Sequence, residues 1–188
     1  MPKTLQAKES PINFRSEFIP KIMDGTKVQT RRLIKPPLPN HPTIVCGKRW
    51  GFIDGDLYYC GVKCPFGRPG DRLWVRENHQ YHQRTWRRRR QDWVVYAATA
   101  TDEQKVFCDK WHPASKLPRW ASRITLEITN VRVERVQDIT VQDAISEGMP
   151  PEIQPKSGFA ILWEKIYGRD AWERNDFVWV LDFKKVPQ

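Results

Sequence analysis

The sequence predicts an α+β domain: a small mixed β-barrel with short flanking helices and two loop insertions, spanning residues 1–188 as one unit. Three observations carry this. The chain has 188 residues, 39% hydrophobic and 29% charged, which suits one well-packed core and does not suit a disordered chain. Runs with a two-residue period recur at irregular intervals, the longest over Arg123–Val136, where Ile124, Leu126 and Ile128 alternate with Thr125, Glu127 and Thr129. Helical spacing is confined to three short stretches, each ended by a glycine.

In chain order, residues 1–11 read as a loose polar lead. Ser16 is the expected N-cap of a short helix reaching Met23, with Phe18, Ile19, Ile22 and Met23 at helical spacing and Pro20 in the first turn. Asp24-Gly25 stops it. Val28–Ile34 is a strand. The run Lys35-Pro36-Pro37-Leu38-Pro39 opens a loop, because proline supplies no donor to a ladder. Asp54-Gly55 between apolar runs predicts a hairpin over Trp50–Tyr59. After the rigid turn Cys64–Asp71, the segment Arg72–Glu77 reads as a strand with Leu73 and Val75 on one face and Trp74 and Arg76 on the other.

Residues 78–92 are polar and basic, Trp93–Ala97 is a short strand, and 101–120 reads as irregular. Thr140-Val141-Gln142-Asp143 resembles a capping box for a helix that runs to Glu147 and closes at Gly148. A further helix starts at Ser157, with Ile161, Leu162, Lys165 and Ile166 at helical spacing, and ends at Gly168. Phe177–Phe183 is the closing strand.

A formal net charge of +10 points to a polyanionic partner such as nucleic acid. Nine tryptophans supply core and also possible stacking platforms. No apolar run approaches the ~20 residues of a membrane span, so no membrane partner is expected. Met1–Pro11 lacks a hydrophobic secretory segment. The expected location is therefore cytoplasmic, with the four cysteines as reduced thiols.

Five stretches occur in a telling order: Gly25–Arg32, Pro69–Glu77, Arg123–Val133, Asp143–Gly148 and Trp179–Phe183. Together they resemble the ASCH domain family, and most of all its larger phage and prophage members, which carry the Arg-Trp-Ala-Ser-Arg segment found at 119–123. The resemblance covers most of residues 17–185 and implies a PUA-like barrel with a cleft beside the first helix and strand. It leaves segments of about 36–66 and 78–118 as insertions. It also implies RNA or a modified nucleoside as the partner, and no cofactor. Some compact members are amidohydrolases that deacetylate 4-acetylcytidine with a lysine, a threonine three residues on and a glutamate in the helix after the long strand. The matching positions are Lys27, Thr30 and Glu147. A related member is described as a ribonuclease. The insertions and the Arg-Arg pair after the threonine depart from the compact pattern. An amidohydrolase, a non-catalytic RNA-binding module and a ribonuclease are therefore all carried forward.

The residues themselves set conditions on this chemistry. A threonine hydroxyl attacks only when a neighbour takes its proton, and a lysine does so only with its pKa lowered toward roughly 7–8. Arg31 and Arg32 press that pKa down and Glu147 opposes them. Residues three apart on a straight strand face opposite ways. Lys27 and Thr30 therefore converge only if Lys27 lies in the turn before the strand, or a bulge intervenes. Glu147 sits where a helix C-terminus disfavours a carboxylate.

Arg31, Arg32, Arg76 and Arg123 are candidates for phosphate or base-edge contacts, and Trp74 and Trp120 for base stacking. Glu77 is a candidate reader of a cytosine amino group. The Trp86–Arg90 run is either an electrostatic footprint or a solvated loop. Cys60-x3-Cys64 and Cys108-x3-His112 are possible zinc spacings, with Cys46, His79 and His82 nearby in sequence. No Cys-x2-Cys knuckle supports them, and reduced unligated thiols are the expected state.

Overall fold

The computed structural model describes residues 7–34, 41–46, 49–54, 57–81, 94–106, 108, 110–152 and 154–187. Its centre is a five-stranded sheet in the order β1-β6-β9-β10-β2. These strands are β1 (Glu9–Asn13), β2 (Gln29–Leu33), β6 (Arg72–Arg76), β9 (Thr125–Arg135) and β10 (Phe177–Lys185). β1 runs parallel to β6, and the other neighbours are antiparallel.

The lead therefore contains a strand where a loose segment is expected. Ser10 and Ile12 point inward, and Pro11 between them obscures the period. Its missing donor is tolerated because β1 is a sheet edge. A bulge between Asp182 and Phe183 shifts the register of the β9–β10 pair.

Two apolar clusters lie on opposite faces of β10. Leu181 and Phe183 join Ile12, Phe14, Leu73, Val75, Leu126 and Ile128, closed over by Phe18, Ile19 and Ile22. Val178 and Val180 face Phe159, Trp163, Ala144 and Ile139. The first helix, α1 (Ile19–Met23), follows a 3-10 turn at Ser16–Phe18. Ser16 belongs to that turn, and no side chain caps either piece. The second apolar face is covered by α3 (Val141–Ser146) and α4 (Pro155–Tyr167).

The α3 capping box forms as expected: the Asp143 amide donates to Thr140 Oγ1 at 3.0 Å, and the Thr140 amide to Asp143 Oδ2 at 3.2 Å. α4 starts at Pro155 rather than Ser157, and it buries Phe159 and Trp163. Ile161 is 70% exposed. The aromatic pair four residues apart wins the buried face, because it removes more apolar area from water than the isoleucine–leucine face.

Both expected insertions carry their own strands. β3 (His41–Cys46), β4 (Arg49–Asp54) and β5 (Leu57–Val62) form a separate antiparallel sheet, with the expected hairpin at Asp54–Leu57. β7 (His79–Tyr81) and β8 (Val94–Tyr96) pair in the second insertion. The stretch read as irregular contains the short helix α2 (Asp102–Val106) and 3-10 turns at Ala114–Lys116 and Arg119–Ala121. Trp86, Arg87–Arg90, His82 and the side chains of Cys46 and Cys60 lie outside the described residues. Among the described residues no helix is long and apolar enough to cross a membrane.

The molecule is thus a mixed α+β domain. Among the described strands the ladder stays open between β1 and β2. Side chains span that seam: the Arg32 guanidinium donates to the Asn13 carbonyl at 2.7 Å and lies over the Phe14 ring at 5.0 Å.

Candidate functional site

The seam opens into a cleft of about 460 Å³. One wall comes from the end of β1 and the turn after it, through Asn13, Phe14 and Phe18. The floor comes from Lys27, Thr30, Arg31, Arg32 and Glu147. The far wall is the inner face of α4, with Phe159, Trp163, Ile166 and Tyr167. Asn78 and Ala114 of the second insertion complete the rim.

Local folding explains how the floor residues meet. Asp24 Oδ1 accepts from the Thr26 amide and hydroxyl, and Gly25 takes φ +86°, which reverses the chain after α1. The Lys27 amide then bonds the Lys21 carbonyl, and the Val28 amide bonds the Ser146 carbonyl. β2 begins only at Gln29. Lys27 therefore precedes the strand, which satisfies the condition on Lys27 and Thr30. Gly148 lies against Lys27: a Cβ there would sit 3.1 Å from the Lys21 stem and 3.5 Å from Lys27 Cβ, and its φ of +92° adds strain for any other residue.

Lys27 Nζ donates to Glu147 Oε2 and to the Glu147 carbonyl, both at 2.6 Å. Both residues are buried. This resolves the odd placement of Glu147 at the end of α3. The lysine satisfies a terminal carbonyl and neutralises the carboxylate at once, and Lys21 does the same for the Gly148 carbonyl. Lys27 Nζ also lies over the Phe18 ring at 4.8 Å. Burial pulls the lysine below its ordinary 10.5, Glu147 opposes the shift, and Arg32 and Arg31 add to it.

Arg31 is fully enclosed. It donates to Gln29 Oε1 at 2.5 Å and Glu134 Oε2 at 3.0 Å, with Asp143 Oδ2 at 3.4 Å and Glu147 Oε1 at 3.6 Å. Behind it, Arg132 joins Glu134, Asp143 and Asp182. Burial works against ionisation of Asp143, but bonds from Thr140 and Gln29 and the charge of Arg31 bring it from 3.8 to about 2. Arg31 thus anchors a polar network behind the floor. Arg32 faces the cleft, with the Tyr167 hydroxyl beside it. Thr30 lines the cleft and is held through its backbone, opposite Leu181.

The remaining sequence candidates fall elsewhere. Glu77, 1% exposed, accepts two bonds from Arg123, at 2.8 and 2.9 Å, and Arg123 lies over Tyr96 at 4.0 Å. That trio ties the second insertion to the sheet, so neither residue reaches the cleft. Arg76 bonds Asn13 Oδ1 and the Ser115 carbonyl and lies over the Trp74 ring. Trp120 is 48% exposed and stacks on Tyr81, outside the cleft. Cys64 and Cys108 are free thiols, and His112 packs against His79. Among the described residues no three His, Cys, Asp or Glu side chains gather as a metal site.

The sequence reading missed Phe14, Trp163 and Tyr167. The signal was present in α4, where Phe159, Trp163, Ile166 and Tyr167 fall on one helical stripe.

No family model matches the chain, and no characterised protein matches it. A crystal structure of a hypothetical protein, PH0355, aligns over 95% of this chain and 99% of that chain at 9% identity, with a TM-score of 0.44. So distant a likeness carries neither function nor fold across.

Proposed function

We propose that this chain is an ASCH-type protein with a PUA-like barrel open at one seam, and that its cleft binds RNA or a modified nucleoside and hydrolyses an acyl amide on cytidine. One observation carries the reading: the buried Lys27–Glu147 contact and Thr30 line the same cleft. The volume of about 460 Å³ lies within the range of small-molecule sites. The aromatic residues Phe14, Phe18, Trp163 and Tyr167 line the cleft, a composition that suits a base.

In this reading the reactive form is the fraction in which Lys27 has given up its proton; it keeps an N–H directed at Glu147 and presents its lone pair to Thr30. The Thr30 oxygen attacks the acyl carbonyl carbon as its proton passes to Lys27. The tetrahedral intermediate collapses with cleavage of the carbon–nitrogen bond, and Lys27 returns the proton to the departing amine of the base. Water then attacks the Thr30 ester, again giving a proton to Lys27. This releases the carboxylic acid and restores the hydroxyl. The test is acetate release from 4-acetylcytidine by purified protein. No release at any pH between 6 and 9 would sink the hydrolase.

A second reading, a binding module without chemistry, is favoured by the two oxygens that Glu147 presents to Lys27, which hold an ammonium well. It requires tight binding of the same nucleoside with no acetate released. A ribonuclease in this cleft requires RNA cleavage that is lost in both Lys27→Ala and Glu147→Ala.

A further inference from the structure

Five buried side-chain polar atoms of the described residues lack a hydrogen-bond partner: Arg31 Nε, Arg32 Nε, Glu147 Oε1, Trp163 Nε1 and His79 Nε2. All but the last belong to residues that line the cleft. Buried polar groups are almost always paired, so four unpaired ones on residues bordering one cavity mark a floor that is short of partners. Three of the four are N–H donors, and only one is an acceptor.

The charges lean the same way. The ionised side chains on the cleft are Arg15, Lys27, Arg31 and Arg32 against Glu17 and Glu147. Arg15 pairs with Glu17 at the rim, Lys27 with Glu147, and Arg31 with Glu134 and Asp143 behind the floor. Arg32 is left over. Its neighbours are the Asn13 carbonyl, the Phe14 ring and the Tyr167 hydroxyl, and Glu147 acts on it only at longer range. A cavity lined by a cation with no carboxylate partner among the described residues is complementary to an oxyanion.

We infer that the cleft binds its ligand through a phosphate group seated on Arg32, so that the ligand is a nucleotide and not a neutral nucleoside. This rests on the nucleoside reading above for the identity of the base, but not for the oxyanion. The phosphate can belong to a free mononucleotide or to one residue of an RNA strand. Its chemistry at Arg32 is the same in both.

The experiment is calorimetric titration of the full chain with cytidine, cytidine 5′-monophosphate, inorganic phosphate, and a trinucleotide centred on cytidine. The monophosphate is expected to bind roughly 10–100-fold tighter than cytidine, the span of one charge-assisted contact. Rising salt should shrink that ratio. Arg32→Gln should bring the ratio to near one, and Arg32→Lys should restore part of it. The salt series needs no variant, so the result stands even if a substituted chain folds poorly. A trinucleotide that outbinds the monophosphate identifies an RNA strand as the source, and the reverse order identifies a free nucleotide. Equal affinity for cytidine and its monophosphate overturns the phosphate seat and leaves the nucleoside reading standing. Binding of phosphate alone, weakened in Arg32→Gln, upholds the oxyanion seat and removes the nucleoside reading. Binding of none of these overturns the inference.

Discussion

Lys27 Nζ bonds both the side chain and the main chain of Glu147 across a sequence separation of 120 residues. The pair joins the turn before β2 to the end of α3. Removing one partner leaves the other buried without its counter-charge. Glu147→Ala should cost ~3–5 kcal/mol of unfolding free energy. The double substitution Lys27→Met with Glu147→Leu should recover most of that loss, because it removes both charges. Urea unfolding of the two variants beside the parent checks this. A double variant no more stable than Glu147→Ala would show that the pair is not a self-contained unit.

Thr30 separates hydrolysis from binding. If its oxygen is the nucleophile, Thr30→Ala should lower acetate release from 4-acetylcytidine by roughly a thousandfold or more, and the affinity for the nucleoside should change little. Thr30→Ser keeps the hydroxyl and loses one methyl group. It should retain activity within about tenfold and cost ~1 kcal/mol of stability. Equal activity in the alanine and serine variants would remove the nucleophile from this position.

The pH dependence follows from burial of Lys27, which lowers its pKa from 10.5. The neutral base becomes more abundant as pH climbs through the lowered value, so the hydrolysis rate should rise with pH and level off before the ordinary lysine value of 10.5 is reached. The stability effect has the same sign. Between the lowered folded value and the ordinary unfolded one, the unfolded chain binds the extra proton, so this lysine makes stability increase with pH. Below that window the buried ammonium costs stability. Lys27→Met should flatten the alkaline part of the stability profile, as read from urea midpoints at pH 7, 8.5 and 10.

Asp143 acts at the acid end. Its carboxyl is held at about 2 instead of 3.8 while it caps α3 and receives Gln29 and Arg132. A depressed carboxyl contributes stability above its unfolded value, and that contribution is lost as pH falls through the folded one. Asp143→Asn should therefore be less stable at pH 7 and show a shallower fall between pH 4 and 2. Thermal unfolding across that interval measures both.

Arg123 and Glu77 should behave as structural residues. Arg123→Ala strands a carboxylate that is 1% exposed, and should cost ~3–5 kcal/mol. The affinity of the folded fraction for cytidine 5′-monophosphate should stay unchanged, because neither side chain lines the cleft. A fall in affinity as large as that of Arg32→Gln would return Arg123 to the binding surface.

What was legible in the sequence was mostly local. The Asp54–Leu57 hairpin, the Thr140–Asp143 capping box, the stop at Asp24-Gly25 and the alternation of β6 and β9 are set by neighbours a few residues apart. β1 was hidden because a five-residue strand with Pro11 at its centre has almost no period to read. The buried stripe of α4 was misassigned because leucine and isoleucine repeat at the same spacing as the aromatic pair, and only packing selects between them.

Among the site residues, sequence order singled out Lys27, Thr30, Arg31, Arg32 and Glu147, and all of them line the cleft. It also singled out Trp74, Arg76, Glu77, Trp120 and Arg123, which do not. Both groups share the same residue types, so composition alone does not sort them.

By itself the sequence determined the basic charge, the mixed α+β class and a short cationic run that follows a turn. The tertiary structure decided how those cations are used. Lys27 is tied to Glu147, Arg31 is spent on Glu134 and Asp143, and of the three only Arg32 lines the cleft without a carboxylate partner among the described residues. The physical reason is that ion pairing is set by distance through space. The carboxylates concerned lie on β9 and α3, more than a hundred residues from the cations they neutralise.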